Sequence, residues 1–166
     1  DYPWPQLDWF DFSNLKADCE RYADFAVMTA AGPASPGIMS PIQDMIGMER
    51  VFTDSLLNPV FFEKLVEKVL AFNVPFVERM FEAAGGGIDF LRIGDDYAGQ
   101  QGLLMSVDMW RSSYSEGLIE MSSVAKRSGA KYYQHCCGGV SELIPHFIDI
   151  GVDVVDPVQV LAKGME

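Results

Sequence analysis

Four short runs of β-forming residues divide the chain, and longer amphipathic stretches lie between them. The runs are Phe25–Thr29, Ile88–Ile93, Lys131–Cys137 and Val152–Asp156. Each is rich in β-branched or aromatic side chains, a composition typical of strands. The intervals between the last three runs show helical periodicity. Strands that alternate with helices predict parallel pairing through right-handed crossovers, and therefore an α/β fold.

Helix-boundary residues mark the intervals. Asn58 and Pro59 predict the N-cap and first residue of a long helix that ends at Gly85–Gly87, and Pro75 predicts a kink or a division within it. Shorter helices are predicted from Ser13 to about Asp24, from Ser106 to about Ser128, and near Ser141–Ile150. The stretch Ala30–Pro41 has three prolines and two glycines, so we predict a linker-like loop there.

Composition and charge exclude several classes of protein. The chain is 49% hydrophobic with 12 basic and 24 acidic residues, a net charge of −12. A chain this apolar can bury a core and is not a disordered acidic tail. The excess of carboxylates argues against a surface for nucleic acid or anionic membranes, and no apolar run is long enough to span a bilayer. Three cysteines, two of them adjacent, cannot form a disulfide framework, so we expect a reducing, cytoplasmic location.

The length of 166 residues allows one domain, residues 1–166. The chain begins at Asp1 without an initiator methionine and stops at Glu166, just after a strand-like run. We therefore expect a piece of a longer open reading frame.

Polar residues with chemical potential follow the end of each predicted strand. In parallel α/β folds the active site lies at the carboxyl ends of the strands. The residues concerned are Thr29, Asp95, Asp96, His135, Cys137, Asp156 and Gln159. We predict that they converge on one face of the fold.

The segment His135-Cys136-Cys137 carries the sharpest local signal. Alternation along a strand places His135 and Cys137 on one face and Cys136 on the other. An imidazole and a thiolate on one face are good ligands for Zn²⁺. A packed histidine beside two buried thiols is the alternative. Zinc also needs a third protein ligand, and no remaining residue is obviously placed for it by spacing.

The other candidates have open roles. Asp95 and Asp96 can supply a general base, a metal ligand or a hydrogen-bond anchor, but carboxylates at such turns also cap helices. Asp156 and Gln159 form a similar, weaker pair of candidate substrate-binding residues. Arg92, late in its strand, can bind a substrate carboxylate or pair with a nearby aspartate.

With these residues in view, the sequence resembles the uroporphyrinogen decarboxylase family, which also contains the cobalamin-linked coenzyme M methyltransferases. Three segments carry the resemblance in order: GDDYAGQQGLLMSVDMWR at Gly94–Arg111, YYQHCCGGVSELIPHFIDIGVDVVDPVQ at Tyr132–Gln159, and AKGME at Ala162–Glu166. The resemblance implies a (β/α)8 TIM barrel of which a central portion is present, since a complete barrel needs about 250 residues.

In the methyltransferase branch, a His-x-Cys pair and a later Cys bind zinc, which activates a thiol to accept a methyl group from a corrinoid. The resemblance thus implies that His135 and Cys137 are zinc ligands and that the third ligand lies beyond Glu166. Asp96 and Gln100 are retained in the family's Gly-Asp-Asp-x-Gly-Thr-Gln turn and are expected to organise the site. Ala98 and Gly99 replace the Gly and Thr of that turn, which removes a hydroxyl.

The decarboxylase branch is the alternative. It acts on an acidic tetrapyrrole without metal or cofactor, and the net charge of −12 disfavours a polycarboxylate substrate. A third possibility is a chain without activity that self-associates, because a partial barrel leaves open strand edges and an uncovered face. A homodimer of two partial barrels is the expected form.

Overall fold

The computed structural model describes residues 3–29 and 35–166. Seven α-helices are found within those ranges: α1 Leu15–Arg21, α2 Met39–Ile46, α3 Met48–Leu57, α4 Pro59–Ala84, α5 Val107–Trp110, α6 Glu116–Arg127 and α7 Ile144–Asp149. The strands are β1 Phe90–Gly94, β2 Ala98–Gly99, β3 Gly102–Leu103, β4 Lys131–His135 and β5 Val154–Asp156. The described residues also form two short 3-10 helices, Leu7–Trp9 and Ser141–Leu143, and a π-helical turn at Arg111–Ser115.

A three-stranded parallel sheet forms the centre of the fold, as predicted, with the order β1-β4-β5. Helices separate these strands in sequence, so each parallel pair is closed by a helical crossover. The α/β class and the three later strands are thereby confirmed.

The two faces of this sheet have different environments. On one face Leu91, Ile93, Tyr132 and Gln134 are fully buried, and α6 packs against β1 and β4 with α4 behind it. On the other face Arg92, Tyr133 and His135 are only partly buried. The alternation of strand side chains therefore separates an apolar core face from a face that carries polar groups.

The long helix α4 is confirmed at both ends. It begins at Pro59, and Gly85 follows it in the left-handed conformation, with a φ of 59°. Pro75 does not divide the helix, which runs unbroken for 26 residues, so of the two predicted effects the division is wrong and the kink stays a prediction. Its N-cap residue Asn58 donates its side-chain amide to Asp54 Oδ1 at 2.8 Å instead of capping the helix.

The predicted first strand, Phe25–Thr29, is wrong as a full strand. Its ladder is limited to one parallel bridge between Met28 and Phe90. The segment nonetheless lies beside β1, because Val27 O accepts from Asp89 N at 2.8 Å and Thr29 N donates to Phe90 O at 3.0 Å. It occupies the position of a fourth parallel strand next to β1.

The predicted loop Ala30–Pro41 is wrong at its end. Residues 30–34 lie outside the described residues, but α2 begins at Met39 and continues through Pro41. Proline is tolerated there because it falls within the first turn, where its missing N–H has no helical partner. α2 and α3 were not predicted.

The helix predicted from Ser106 is present but is not a regular α-helix throughout. Ser106 Oγ accepts from Met109 N at 3.2 Å, as an N-cap should, and the helix reaches Arg127 with the π-helical turn inside it.

The hairpin β2–β3 follows the Gly94-Asp95-Asp96 turn. Among the described residues, we find no helix with the length and hydropathy needed to cross a bilayer.

Candidate functional site

The parallel register places the carboxyl ends of three strands side by side. Gly94 is opposite His135, and His135 is opposite Asp156. Two backbone hydrogen bonds close this edge, from Asp95 N to His135 O at 3.2 Å and from Cys136 N to Asp156 O at 2.8 Å. The predicted convergence of Asp96, His135, Cys137 and Asp156 at one edge is therefore observed.

His135 is held at the centre of this edge. Its Nδ1 lies 2.9 Å from Asp156 Oδ2, and its Nε2 lies 3.6 Å from Cys137 Sγ and 3.8 Å from Asp96 Oδ1. An ionised carboxylate only accepts, so the hydrogen bond to Asp156 assigns a proton to Nδ1; in the neutral imidazole the lone pair that can bind a ligand is then on Nε2.

The vicinal cysteines face opposite ways, as the strand alternation predicts. Cys136 is fully buried, its Sγ accepts from Tyr97 N at 3.2 Å, and burial raises its pKa to about 12. Cys137 is partly exposed beside His135. Partial burial raises the pKa of Cys137, and the carboxylates of Asp96 and Asp156 raise it further. The positive charge of Arg92 acts in the opposite direction but is the smallest of these effects, so the pKa of Cys137 is raised and the thiol is favoured over the thiolate.

The adjacent aspartates have separate environments. Asp95 is 1% exposed and accepts hydrogen bonds from three successive backbone N–H groups, those of Ile38, Met39 and Ser40, at the start of α2. Asp96 is exposed at the strand edge, and its Oδ1 accepts from Cys137 N at 2.8 Å. Of the roles left open by the sequence, Asp95 has the helix-capping one, whereas Asp96 lies at the exposed edge and contacts the backbone of Cys137.

Asp96, His135 and Cys137 together fit a metal ion. Their ligand atoms all lie within 4.8 Å of one another. Zinc–nitrogen and zinc–sulfur bonds of about 2.0 and 2.3 Å at a tetrahedral angle place nitrogen and sulfur about 3.5 Å apart, close to the 3.6 Å between His135 Nε2 and Cys137 Sγ. Imidazole, thiolate and carboxylate are also donors that zinc uses. Asp156 completes the carboxylate–histidine arrangement that commonly orients a metal-binding imidazole.

A cavity of about 340 Å³ opens onto this cluster, and its lining includes Arg92, Asp96 and His135. Ser35, Ser40 and Asp44 line its other side. Among the described residues that line it, Arg92 is the one arginine, and none is a lysine. Within the described ranges, no carboxylate lies within 4.0 Å of the Arg92 guanidinium. Of the two roles predicted for Arg92, the salt bridge to a nearby aspartate is therefore not observed, and substrate binding stays a prediction.

Gln100 and Gln159 contact each other and lie beside the metal-ligand cluster. Gln100 Nε2 donates to Gln159 Oε1 at 2.6 Å, and Gly138 N donates to the same oxygen at 3.0 Å. Gly138 has a φ of 93°, and a Cβ there would lie 2.5 Å from Gly99 O. This pair therefore fixes the turn that directly follows Cys137.

The sequence did not single out Tyr133, and it named Thr29 only as one of the polar residues at strand ends. Tyr133 shares the face of His135, which its position two residues earlier could have indicated. Thr29 Oγ1 accepts from Arg92 N at 2.8 Å, so it supports β1 from the neighbouring segment. The roles predicted for Arg92, Asp96, Gln100, Asp156 and Gln159 stay predictions.

Comparisons of the chain with protein-family models, with curated proteins and with solved structures find no match. The family resemblance therefore depends on the sequence segments that carry it.

Proposed function

We propose that the chain is the central part of a (β/α)8 barrel of the uroporphyrinogen decarboxylase type, and that its intact form is a zinc-dependent methyltransferase that moves a methyl group from a methylcorrinoid to a thiol. The observation that supports this proposal most is the juxtaposition of His135 Nε2, Cys137 Sγ and Asp96 Oδ1. The decarboxylase alternative uses no metal and gives no reason for such a donor set.

The sheet supports the barrel part of the proposal. Its three strands are parallel and adjacent, with helices packed on one face and polar side chains on the other. In a (β/α)8 barrel the helices lie outside and the active site lies at the carboxyl ends of the strands. The cluster of Asp96, His135 and Cys137 is at that end.

His135, Cys137 and Asp96 would hold the metal through one nitrogen, one sulfur and one oxygen. Zn²⁺ bound there would supply the positive charge that keeps a substrate thiol deprotonated near neutral pH. A fourth tetrahedral position would remain for that thiol. The resemblance implies a cysteine beyond Glu166 as third protein ligand, and Asp96 offers a carboxylate in the same role within this chain.

Methyl transfer then needs a thiol sulfur that is held in position and largely ionised. The sulfur forms a bond to the methyl carbon while the carbon–cobalt bond breaks, the electron pair stays with the corrinoid, and the thiol proton goes to solvent. Arg92 lines the same cavity as His135 and would bind an anionic group on the acceptor. The cavity volume of about 340 Å³ suits a small thiol.

The experiment is a methyl-transfer assay with the full-length protein, methylcobalamin and a panel of small thiols with and without a carboxylate or sulfonate group. We expect zinc-dependent loss of methylcobalamin absorbance that favours the anionic thiols, and loss of activity in His135→Ala and Cys137→Ser. Arg92→Gln should abolish the preference for anionic thiols. Zinc-independent turnover, or full activity in both ligand variants, would refute the proposal.

A further inference from the structure

Two side chains hold the backbone on either side of Cys137. Asp96 Oδ1 accepts from Cys137 N at 2.8 Å, and Gln159 Oε1 accepts from Gly138 N at 3.0 Å. The first hydrogen bond holds the peptide group before the Cα atom of Cys137, and the second holds the peptide group after it. Because planar peptide groups leave only φ and ψ free at a residue, the two bonds together restrict where the Cβ atom of Cys137 lies and which positions its Sγ can reach.

The amide of Gln159 is itself held by a second donor. Gln100 Nε2 donates to the same Oε1 atom at 2.6 Å. A carbonyl oxygen has two lone pairs and can accept both bonds, whereas the NH₂ end of the amide can accept neither, so the orientation of the Gln159 side chain is fixed. Gln100 is positioned through its backbone, because its carbonyl oxygen accepts from Lys163 N at 3.0 Å.

The turn that contains Gly138 packs directly on the β2–β3 hairpin. Gly139 N donates to Gly99 O at 3.0 Å, and a Cβ atom at Gly138 would lie 2.5 Å from the same oxygen. With glycine at both positions the turn has no side chain of its own to hold it, so hydrogen bonds to its N–H groups determine its conformation. Gln159 accepts the one of these bonds that is nearest to Cys137.

We propose that Gln159 is a positioning residue of the metal site, which holds the Gly138 peptide group so that Cys137 Sγ lies toward His135 Nε2. This inference rests on the proposed zinc site and adds a residue to it, in a role other than the substrate binding predicted from the sequence. The distance of 3.6 Å between Cys137 Sγ and His135 Nε2 suits two ligands of one zinc ion only while the Cys137 backbone keeps this conformation. Residues that orient a ligand in this way raise metal affinity without contacting the metal.

The test replaces Gln159 by methionine and by glutamate in the full-length protein. Gln159 is only partly buried, so neither change should prevent folding. Gln159→Met keeps the length of the side chain and removes the acceptor, whereas Gln159→Glu keeps an acceptor for Gly138 N and Gln100 Nε2. Gln101→Met is the matched control, because it makes the same chemical change at an exposed glutamine beside Gln100. Affinity is measured by titration with Co²⁺, whose thiolate-to-metal absorption reports whether Cys137 is a ligand.

Loss of a residue that orients a metal ligand typically lowers metal affinity about 10- to 100-fold. We expect a loss of about three- to tenfold for Gln159→Met, because Asp96 still holds the preceding peptide group, together with a weaker thiolate-to-metal band. Gln159→Glu should bind at least as tightly as the wild type, since it keeps the acceptor and adds a negative charge. Gln101→Met should bind as the wild type does. Unchanged affinity and absorption in Gln159→Met, an equal loss in Gln101→Met, or a Gln159→Glu variant as weak as Gln159→Met would overturn the inference.

Two NMR signals of metal-free protein separate failure of this inference from failure of the proposed function. The Gly138 N–H should exchange with solvent about two- to tenfold faster in Gln159→Met than in the wild type, the factor that corresponds to one hydrogen bond, and Gln159→Glu should restore slow exchange. Because Cys137 Sγ and His135 Nε2 lie 3.6 Å apart, the Cys137 Hβ protons should show an NOE to His135 Hε1 that weakens in Gln159→Met. If the wild type binds no metal, the proposed function fails and these signals still decide the role of Gln159; an unchanged NOE in Gln159→Met would refute it.

Discussion

Replacing each of the two adjacent aspartates, Asp95 and Asp96, by alanine should produce opposite phenotypes. Asp95→Ala leaves four donors without their acceptor: the N–H groups of Ile38, Met39 and Ser40, at 2.6, 3.1 and 2.7 Å, and the Tyr97 hydroxyl at 2.9 Å. Loss of a helix N-cap costs about 1–2 kcal/mol. Each further buried donor left unpaired costs about 1 kcal/mol or more.

The expected loss for Asp95→Ala is therefore about 3 kcal/mol of unfolding free energy, within the range found when one partner of a buried charged group is removed. Asp96→Ala should cost less than about 1 kcal/mol, because Asp96 is exposed and water can replace it at Cys137 N. Metal affinity should fall in Asp96→Ala, because the carboxylate that it loses is one of the proposed ligands.

Urea unfolding followed by circular dichroism measures both changes. With a slope of about 2 kcal/mol per molar urea, a loss of 3 kcal/mol lowers the midpoint by about 1.5 M. Asp24→Ala, at an exposed aspartate, is the control. Equal midpoints for Asp95→Ala and Asp96→Ala would refute this division of roles.

Three further measurements concern the cysteines, Asp95 and Gly138. In native protein, iodoacetamide should modify Cys137 alone among the three cysteines, because Cys19 and Cys136 are buried and burial raises the pKa of Cys136 to about 12. Mass spectrometry of the alkylated peptides measures this, and rapid labelling of Cys136 would contradict it. Burial raises the pKa of Asp95, so the part of the stability that depends on its ionisation declines as pH rises from the unfolded to the folded pKa, while the hydrogen bonds to α2 contribute on both sides of that interval. The stability of the wild type relative to Asp95→Asn should therefore decline as pH rises above about 4, and a rising difference would show that the sign is wrong. Gly138→Ala should lower the free energy of unfolding by about 1–3 kcal/mol and weaken metal binding, because its Cβ would lie 2.5 Å from Gly99 O and its φ is 93°. A melting temperature equal to that of the wild type would exclude this close approach.

The sequence could predict the parts of the fold that local pattern determines. The strands β1, β4 and β5 are short β-branched or aromatic runs, and α4 is marked by Pro59 at its start and by Gly85 after its end. The opposite orientation of Cys136 and Cys137 follows from the two-residue repeat of a strand. These features need no information from distant residues.

The features that sequence missed depend on distant contacts. α2 starts within a Pro- and Gly-rich stretch, and its first N–H groups are satisfied by Asp95, more than 50 residues later in the chain. Asp96 reaches the metal-ligand cluster because Gly94 is in register with His135. Asp156, predicted to bind substrate, contacts His135 Nδ1 because of the corresponding β4–β5 register. The spacing of these residues along the chain does not reveal the β1–β4 register or the β4–β5 register.

A zinc-binding titration with a chromophoric competitor is the most direct test of the proposed metal site. We expect one tightly bound Zn²⁺ for each full-length chain. Binding should be lost in His135→Ala and Cys137→Ser and weakened in Asp96→Ala, and it should be retained in Cys136→Ser, whose sulfur lies on the opposite face. A wild-type protein that is folded and binds no zinc, or His135→Ala and Cys137→Ser variants that bind it as tightly as the wild type, would show that these residues do not form a zinc site.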